Sequence, residues 1–164
     1  MSLILTNPLR GGVSKFRILA SSAVAVTHTG NTSETVLATV TIPAGIMGLN
    51  GALRINSLWS TPGGSGNSKT CRIRLGGISG GTVFAIANTT NLSIFDPSRI
   101  VHNRNSASSQ SMRATNSSGG ATSAAAATLS VDTSVALDLV FTANLANSGE
   151  SITLEEYMVE LILP

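Results

Sequence analysis

The sequence predicts an all-β protein: an antiparallel β-sandwich, a jelly roll of about eight strands. Three observations lead there. Apolar residues recur at every second position in run after run, and helical spacing is almost absent. Turn signals such as Asn50-Gly51, Gly76-Gly77 and Asn147-Ser148-Gly149 separate these runs at short intervals. The length of 164 residues fits one domain with a single core.

Taken in order, the chain opens with Leu3-Ile4-Leu5 ahead of Asn7-Pro8, an apolar group with no alternating run of its own. Residues 1–14 are therefore expected to form an N-terminal arm, and 15–164 the single domain. From Glu34 to Pro43 one face reads Val36, Ala38, Val40, Ile42, and Pro43-Ala44-Gly45 ends the strand because Pro donates no ladder hydrogen bond. The next strand points Leu53, Ile55, Ser57 and Trp59 inward and Arg54 and Asn56 outward. After the Thr61–Asn67 loop, Lys69 starts a strand with Cys71, Ile73 and Leu75 inward and Arg72 and Arg74 outward.

Beyond the Gly76–Gly81 turn a strand runs from Thr82 to Ala87, and the stretch from Leu92 to Arg104 reads as two short strands broken at Asp96-Pro97. Asn105 to Ala127 is Ser-, Ala- and Gly-rich and reads as a long loop with one edge strand near Ser109–Ala114. Val135, Leu137, Leu139 and Phe141 share one face of the penultimate strand. In the last strand the inward set Ile152, Leu154, then Tyr157, Val159, Leu161 slips by one at Glu155-Glu156. A β-bulge there keeps both halves on the core.

Composition narrows the function. Charged residues are only 11%, against a usual quarter or so, and Ser, Thr, Asn and Gly take their place. The formal charge of +2 is too mild for a nucleic-acid partner, which asks for a dense basic stripe. No run approaches the 18 or so apolar residues of a membrane helix, and the brief apolar run near Met1 is too short for a secretory signal. The expectation is a protein made in a cytoplasm that leaves only inside something larger. Cys71 is the sole cysteine and lies in core phase, so it reads as a small buried hydrophobe.

No constellation carries chemistry. His28 and His102 are far apart with no third ligand at metal spacing, so no metal and no cofactor are expected. No Gly-x-Ser-x-Gly elbow accompanies the many serines. Glu155 and Glu156 are adjacent, which the bulge explains better than a glycosidase pair does, and Asp96, Asp132 and Asp138 fall at turns or outward positions. The Asn-x-Ser/Thr triplets at Asn31, Asn88, Asn91 and Asn116 have no secretory context. The one polar grouping of interest is Arg72 and Arg74 on a shared face, joined by Arg54 if their strands pair. Three guanidiniums there suit carboxylates of an acidic partner or sugar, although outward strand residues are polar in any case.

Two stretches carry a resemblance. "HTGNTSETVLATVTIPAGIMGLNGALRINSLWS", followed by "NSKTCRIRLGG", resembles the opening shared by a family of small tailed-phage virion proteins. The C-terminal "LANSGESITLEEYMVELI" is similar to that family's ending, while the Ser/Ala-rich middle is unmatched. The resemblance implies jelly-roll homotrimers on phage particles, as capsid decoration (cement) proteins or head- or tail-fibre pieces, assembled in a host cytoplasm and located on the virion. It brings no catalytic residues. The expected partners are the major capsid protein or other virion proteins, with a host-surface glycan as the alternative for a fibre adhesin. An adhesin more often shows clustered exposed aromatics, whereas Trp59 and Tyr157 fall in core phase. The arm residues Leu3, Ile4 and Leu5 are expected to lie against a neighbour. Burying each stabilises by about 1.5–3 kcal/mol, while ordering each backbone residue of the arm costs about 1–2 kcal/mol.

Overall fold

The computed structural model describes residues 14–62, 66–89, 92–113 and 126–164. The arm residues Leu3, Ile4 and Leu5 lie outside them, as do Asn91 and Asn116. Twelve strands are formed among the described residues: β1 (Phe16–Ser22), β2 (Val26–Thr29), β3 (Thr35–Ile42), β4 (Ala52–Pro62), β5 (Lys69–Leu75), β6 (Gly81–Asn88), β7 (Leu92–Phe95), β8 (Ser98–Asn103), β9 (Gln110–Met112), β10 (Ala127–Leu129), β11 (Leu137–Leu145) and β12 (Ser151–Ile162).

All pairings are antiparallel and make two sheets. The larger has the order β1-β12-β4-β8-β9-β10, with β2 also on β12 and β7 also on β4; the smaller is β3-β11-β5-β6. Strand count and strand order together identify the jelly roll. β1 and β2 are one strand along β12 interrupted at 23–25, and β7 and β8 are one strand along β4 interrupted at Asp96-Pro97. Joining those pairs and setting aside the β9–β10 hairpin leaves eight strands. Apart from the β5–β6 hairpin, which stays in the smaller sheet, successive strands alternate between two four-stranded layers, as in a jelly roll.

The expected bulge is present. Leu154 faces Trp59 and Glu156 faces Leu58, so Glu155 is the extra residue. Ile152, Leu154, Val159 and Leu161 are buried on one side of it and the other, and Tyr157 is partly buried, stacked on Phe141 of the opposite sheet at 4.8 Å between centroids. The core closes around Trp59, Ile55, Ile73, Leu139 and Phe141. Ser57 belongs there because its Oγ accepts the Trp59 indole N–H at 3.0 Å, satisfying the one polar atom of that ring. Gly76 and Gly77 both take positive φ, and both amides donate to the Asp138 carbonyl at 2.8 Å, which ties the β5–β6 turn to β11.

Three sequence expectations are corrected. Val36 points outward and Leu37 packs against the core, because a register shift opposite Phe141/Thr142 makes Leu37 the extra residue of β3. Val135 is exposed and precedes β11, which begins at Leu137. β10, which begins at the end of the stretch read as loop, pairs with β9 and widens the larger sheet.

Candidate functional site

The two sheets present very different outer faces. On the smaller one, Arg72 and Arg74 of β5 do share a face, as their spacing requires, but they are not free for a partner. Glu34, just ahead of β3, takes a two-pronged contact from Arg74: Nε to Oε1 at 2.8 Å and Nη2 to Oε2 at 3.0 Å. Thr142 donates to the same carboxylate at 2.5 Å, and Arg72 Nη1 approaches it at 3.6 Å while bonding Asn144 at 2.6 Å. Arg74 Nη1 reaches Thr82 at 3.0 Å, and Thr41 donates to Asp138 at 2.9 Å. The Arg74 hydrogen bond holds the Glu34 carboxyl below its ordinary range against the opposing effect of burial, and the same bond raises Arg74. This face satisfies itself.

Arg54 does not join that group. β4 and β5 are consecutive in sequence but lie in different sheets, so the three-arginine cluster is not formed. Arg54 instead sits on the outer face of the larger sheet, pairs with Glu160 of β12 at 3.3 Å, and has its guanidinium 5.9 Å from the Phe16 ring. Around it the register places Phe16, Ile18 and Ile100 on the same outer side, opposite Ile162, Glu160 and Arg54 respectively. These side chains are exposed: Phe16 by 56%, Ile18 by 58% and Ile100 by 37%. Ile94 of β7, beside Ser60, is exposed by 76%. On the smaller sheet only Val36 is comparable among the described residues.

Further along the larger sheet, where β1/β2 and β7/β8 both break and β12 bulges, a shallow groove of about 760 Å³ crosses the strands. Asn56, Leu58, Asp96, Ser98, Glu156 and Met158 contribute to its walls. Tyr157 borders it, with its ring stacked on Phe141 of the opposite sheet. Glu155 is held by Ser60, so the adjacent carboxylates of the bulge have separate surroundings.

The histidines lie on opposite sides of the larger sheet and at opposite ends of β12. His28 is buried across from Ile152, whereas His102 is exposed beside Ala52, itself paired with Ile162. Among the described residues no three His, Cys, Asp or Glu side chains converge to hold a metal. Cys71 is buried, and burial pushes its thiol well above the ordinary range. Two buried polar groups escaped the sequence reading. Lys69, read as a strand start, is inward and fully buried: its Nζ lies 3.2 Å from Glu150 Oε2 and donates to the Asn67 carbonyl at 2.9 Å. Gln110 binds Asn103 at 3.0 Å, which in turn donates to Thr133 at 2.8 Å, and this pins the loop between β8 and β9. The sequence signal for the first is a Lys in phase with Cys71 and Ile73; its partner could not be named without the fold.

No protein-family model matches the chain, and no curated protein matches it in sequence. Solved structures similar to it include the Bacillus endospore appendages, described as disulfide-linked pili, at 12% identity over 90% of this chain and 92% of that one, with a TM-score of 0.45. The CBM2 module of Dit from Lactobacillus casei BL23 phage J-1 is similar at 15% identity, over 85% of this chain and 76% of that one, with a TM-score of 0.41. The VP2 subviral particle of infectious bursal disease virus is similar at 11% identity and a TM-score of 0.38, the chain matching in full but spanning only 46% of VP2. At these values the likenesses bear on neither the role nor the partners of this chain.

Proposed function

We propose that this chain is a structural protein of a bacteriophage particle, a decoration or cement protein that works by assembly and not by catalysis. The observation that carries the reading is the contrast between the two outer faces. The smaller sheet closes its polar groups on themselves through Glu34, while the larger sheet leaves Phe16, Ile18 and Ile100 in water around Arg54. Clustered large apolar groups on one face mark an interaction surface. The motif resemblance from His28 to Gly77 and from Leu145 to Ile162 supplies the kind of assembly, a trimer seated on the capsid. In this reading the arm with Leu3, Ile4 and Leu5 lies across a neighbouring capsid subunit.

Sedimentation of the purified chain with undecorated capsids tests this directly. The full chain is expected to co-sediment, and a chain lacking residues 1–9 to keep its thermal midpoint and oligomeric state but lose capsid binding. Full-strength binding by the truncated chain would remove the arm from the attachment; no binding by the full chain would overturn the cement reading.

A further inference from the structure

We infer that the chain stands end-on on the capsid, docking through the loop tips that carry Leu49, Ile78 and Val135 beside the root of the N-terminal arm. The inference rests on the cement reading and names the surface that meets the shell and the chemistry it meets, an apolar patch of a capsid subunit. The two ends of the sandwich differ in what their loops offer. At one end lie the connections from β2 to β3, β4 to β5, β6 to β7 and β11 to β12, made only of Gly, Asn, Ser, Thr, Ala and Glu. The other end holds the row Phe16, Ile162, Ala52, His102 of the larger sheet and the pairs Ile42–Leu137 and Leu75–Gly81 of the smaller. There the connections after β3, β5 and β10 carry Leu49, Ile78 and Val135, each about half exposed. Ile46, Met47 and Val131 of the same connections pack on the core. Turn tips favour Gly, Asn, Asp and Ser, so neither the core nor the turn accounts for a Leu, an Ile and a Val left in water at one end and none at the other.

These tips are held in place before any partner arrives. The Leu49 carbonyl accepts the Ser106 amide at 3.2 Å and Asn50 Oδ1 accepts that of Asn105 at 3.0 Å. Gly45 N donates to the Thr133 carbonyl at 2.9 Å, and Thr133 N to that of Ala107 at 2.8 Å. Loops braced on one another lose little freedom when they dock. The arm says what covers them. Leu163 N donates to the Lys15 carbonyl at 2.8 Å, which fixes the arm's root at this same end. Thirteen residues precede Ser14 and span at most about 43–47 Å when extended, whereas six strands about 4.8 Å apart make the larger sheet about 24 Å wide. Leu3, Ile4 and Leu5 can therefore reach past the footprint of the tips, and a shell that takes the arm meets the tips as well. Phe16, the first residue of β1, continues the apolar surface from the arm's root onto the larger sheet.

Co-sedimentation of the full chain with undecorated capsids tests this, using two triple variants that add the same negative charge at opposite ends. Leu49→Asp/Ile78→Asp/Val135→Asp alters the tips beside the arm, and Thr32→Asp/Thr89→Asp/Ser148→Asp alters exposed positions at the far end. All six side chains are exposed, so both variants are expected to keep the wild-type thermal midpoint within a few degrees. The tip variant should bind capsids roughly tenfold more weakly or worse, as loss of apolar anchors does, and the far-end variant as the wild type does. Should the triple tip variant unfold, its three single substitutions carry the same comparison. Wild-type binding by the tip variant, or a loss confined to the far-end variant, would overturn the end-on inference and leave the cement reading standing. Absence of binding by the wild type would sink the cement reading and this inference with it.

Discussion

Lys69 and Glu150 make the most demanding prediction, because both side chains are buried and each stands opposite the other. Lys69 is fully buried and Glu150 nearly so, with Nζ and Oε2 3.2 Å apart and Asn67 bonding both residues. Removing one partner leaves the other charge in a site with little water, which costs about 3–5 kcal/mol. Lys69→Met and Glu150→Leu should each lose that amount, or about 6–20 °C in the thermal midpoint for a domain of this size. Replacing both, as Lys69→Met with Glu150→Leu, removes the desolvation cost together with the attraction. The double variant should lie near the wild type or up to about 4 kcal/mol above it. Asn67 is exposed and can turn its amide to water once the carboxylate is gone. Urea titrations of the four proteins at one fixed concentration give the coupling energy directly. A Lys69→Met variant that loses less than about 1 kcal/mol would refute the reasoning, since that is the cost expected of a solvated pair.

Two further predictions concern single carboxylates of the sandwich. Glu34→Gln should lower stability at neutral pH by about 1 kcal/mol, reduced by its part exposure. The folded carboxyl is depressed, so the wild-type advantage is complete above its ordinary value of 4.5 and fades as pH falls through the lower folded value; midpoints measured against pH should converge only on the acid side. Deleting Glu155 should leave the protein folded at a cost of about 1–2 kcal/mol, because the deletion turns the bulge into a regular ladder with Leu154 on Trp59 and Glu156 on Leu58. Deleting Asn56 instead should prevent folding, since it flips either Leu53 and Ile55 or Ser57 and Trp59 out of the core; circular dichroism and soluble yield distinguish the two outcomes.

What was legible in the sequence was whatever a single strand decides for itself. Alternation around Leu53, Ile55 and Trp59 and around Cys71, Ile73 and Leu75 placed those side chains inward, because a pleated strand facing one core has a period of two. The double glutamate told of the bulge for the same reason: no continuous strand could bury both Leu154 and Tyr157. The slip at Leu37 was not legible, since Val36, Leu37 and Ala38 are all apolar and either phase reads well. The tertiary structure alone decided where the charges ended up. Arg54 and Arg72 stand on consecutive strands, yet the jelly roll sends β4 to one sheet and β5 to the other. Arg74 meets Glu34 only because β11 brings β3 and β5 to its two sides, and Lys69 can be buried only because the β11–β12 turn returns Glu150 to it. Alternation is set by neighbours along the chain, whereas electrostatic partners are set by strand order, which no local pattern encodes.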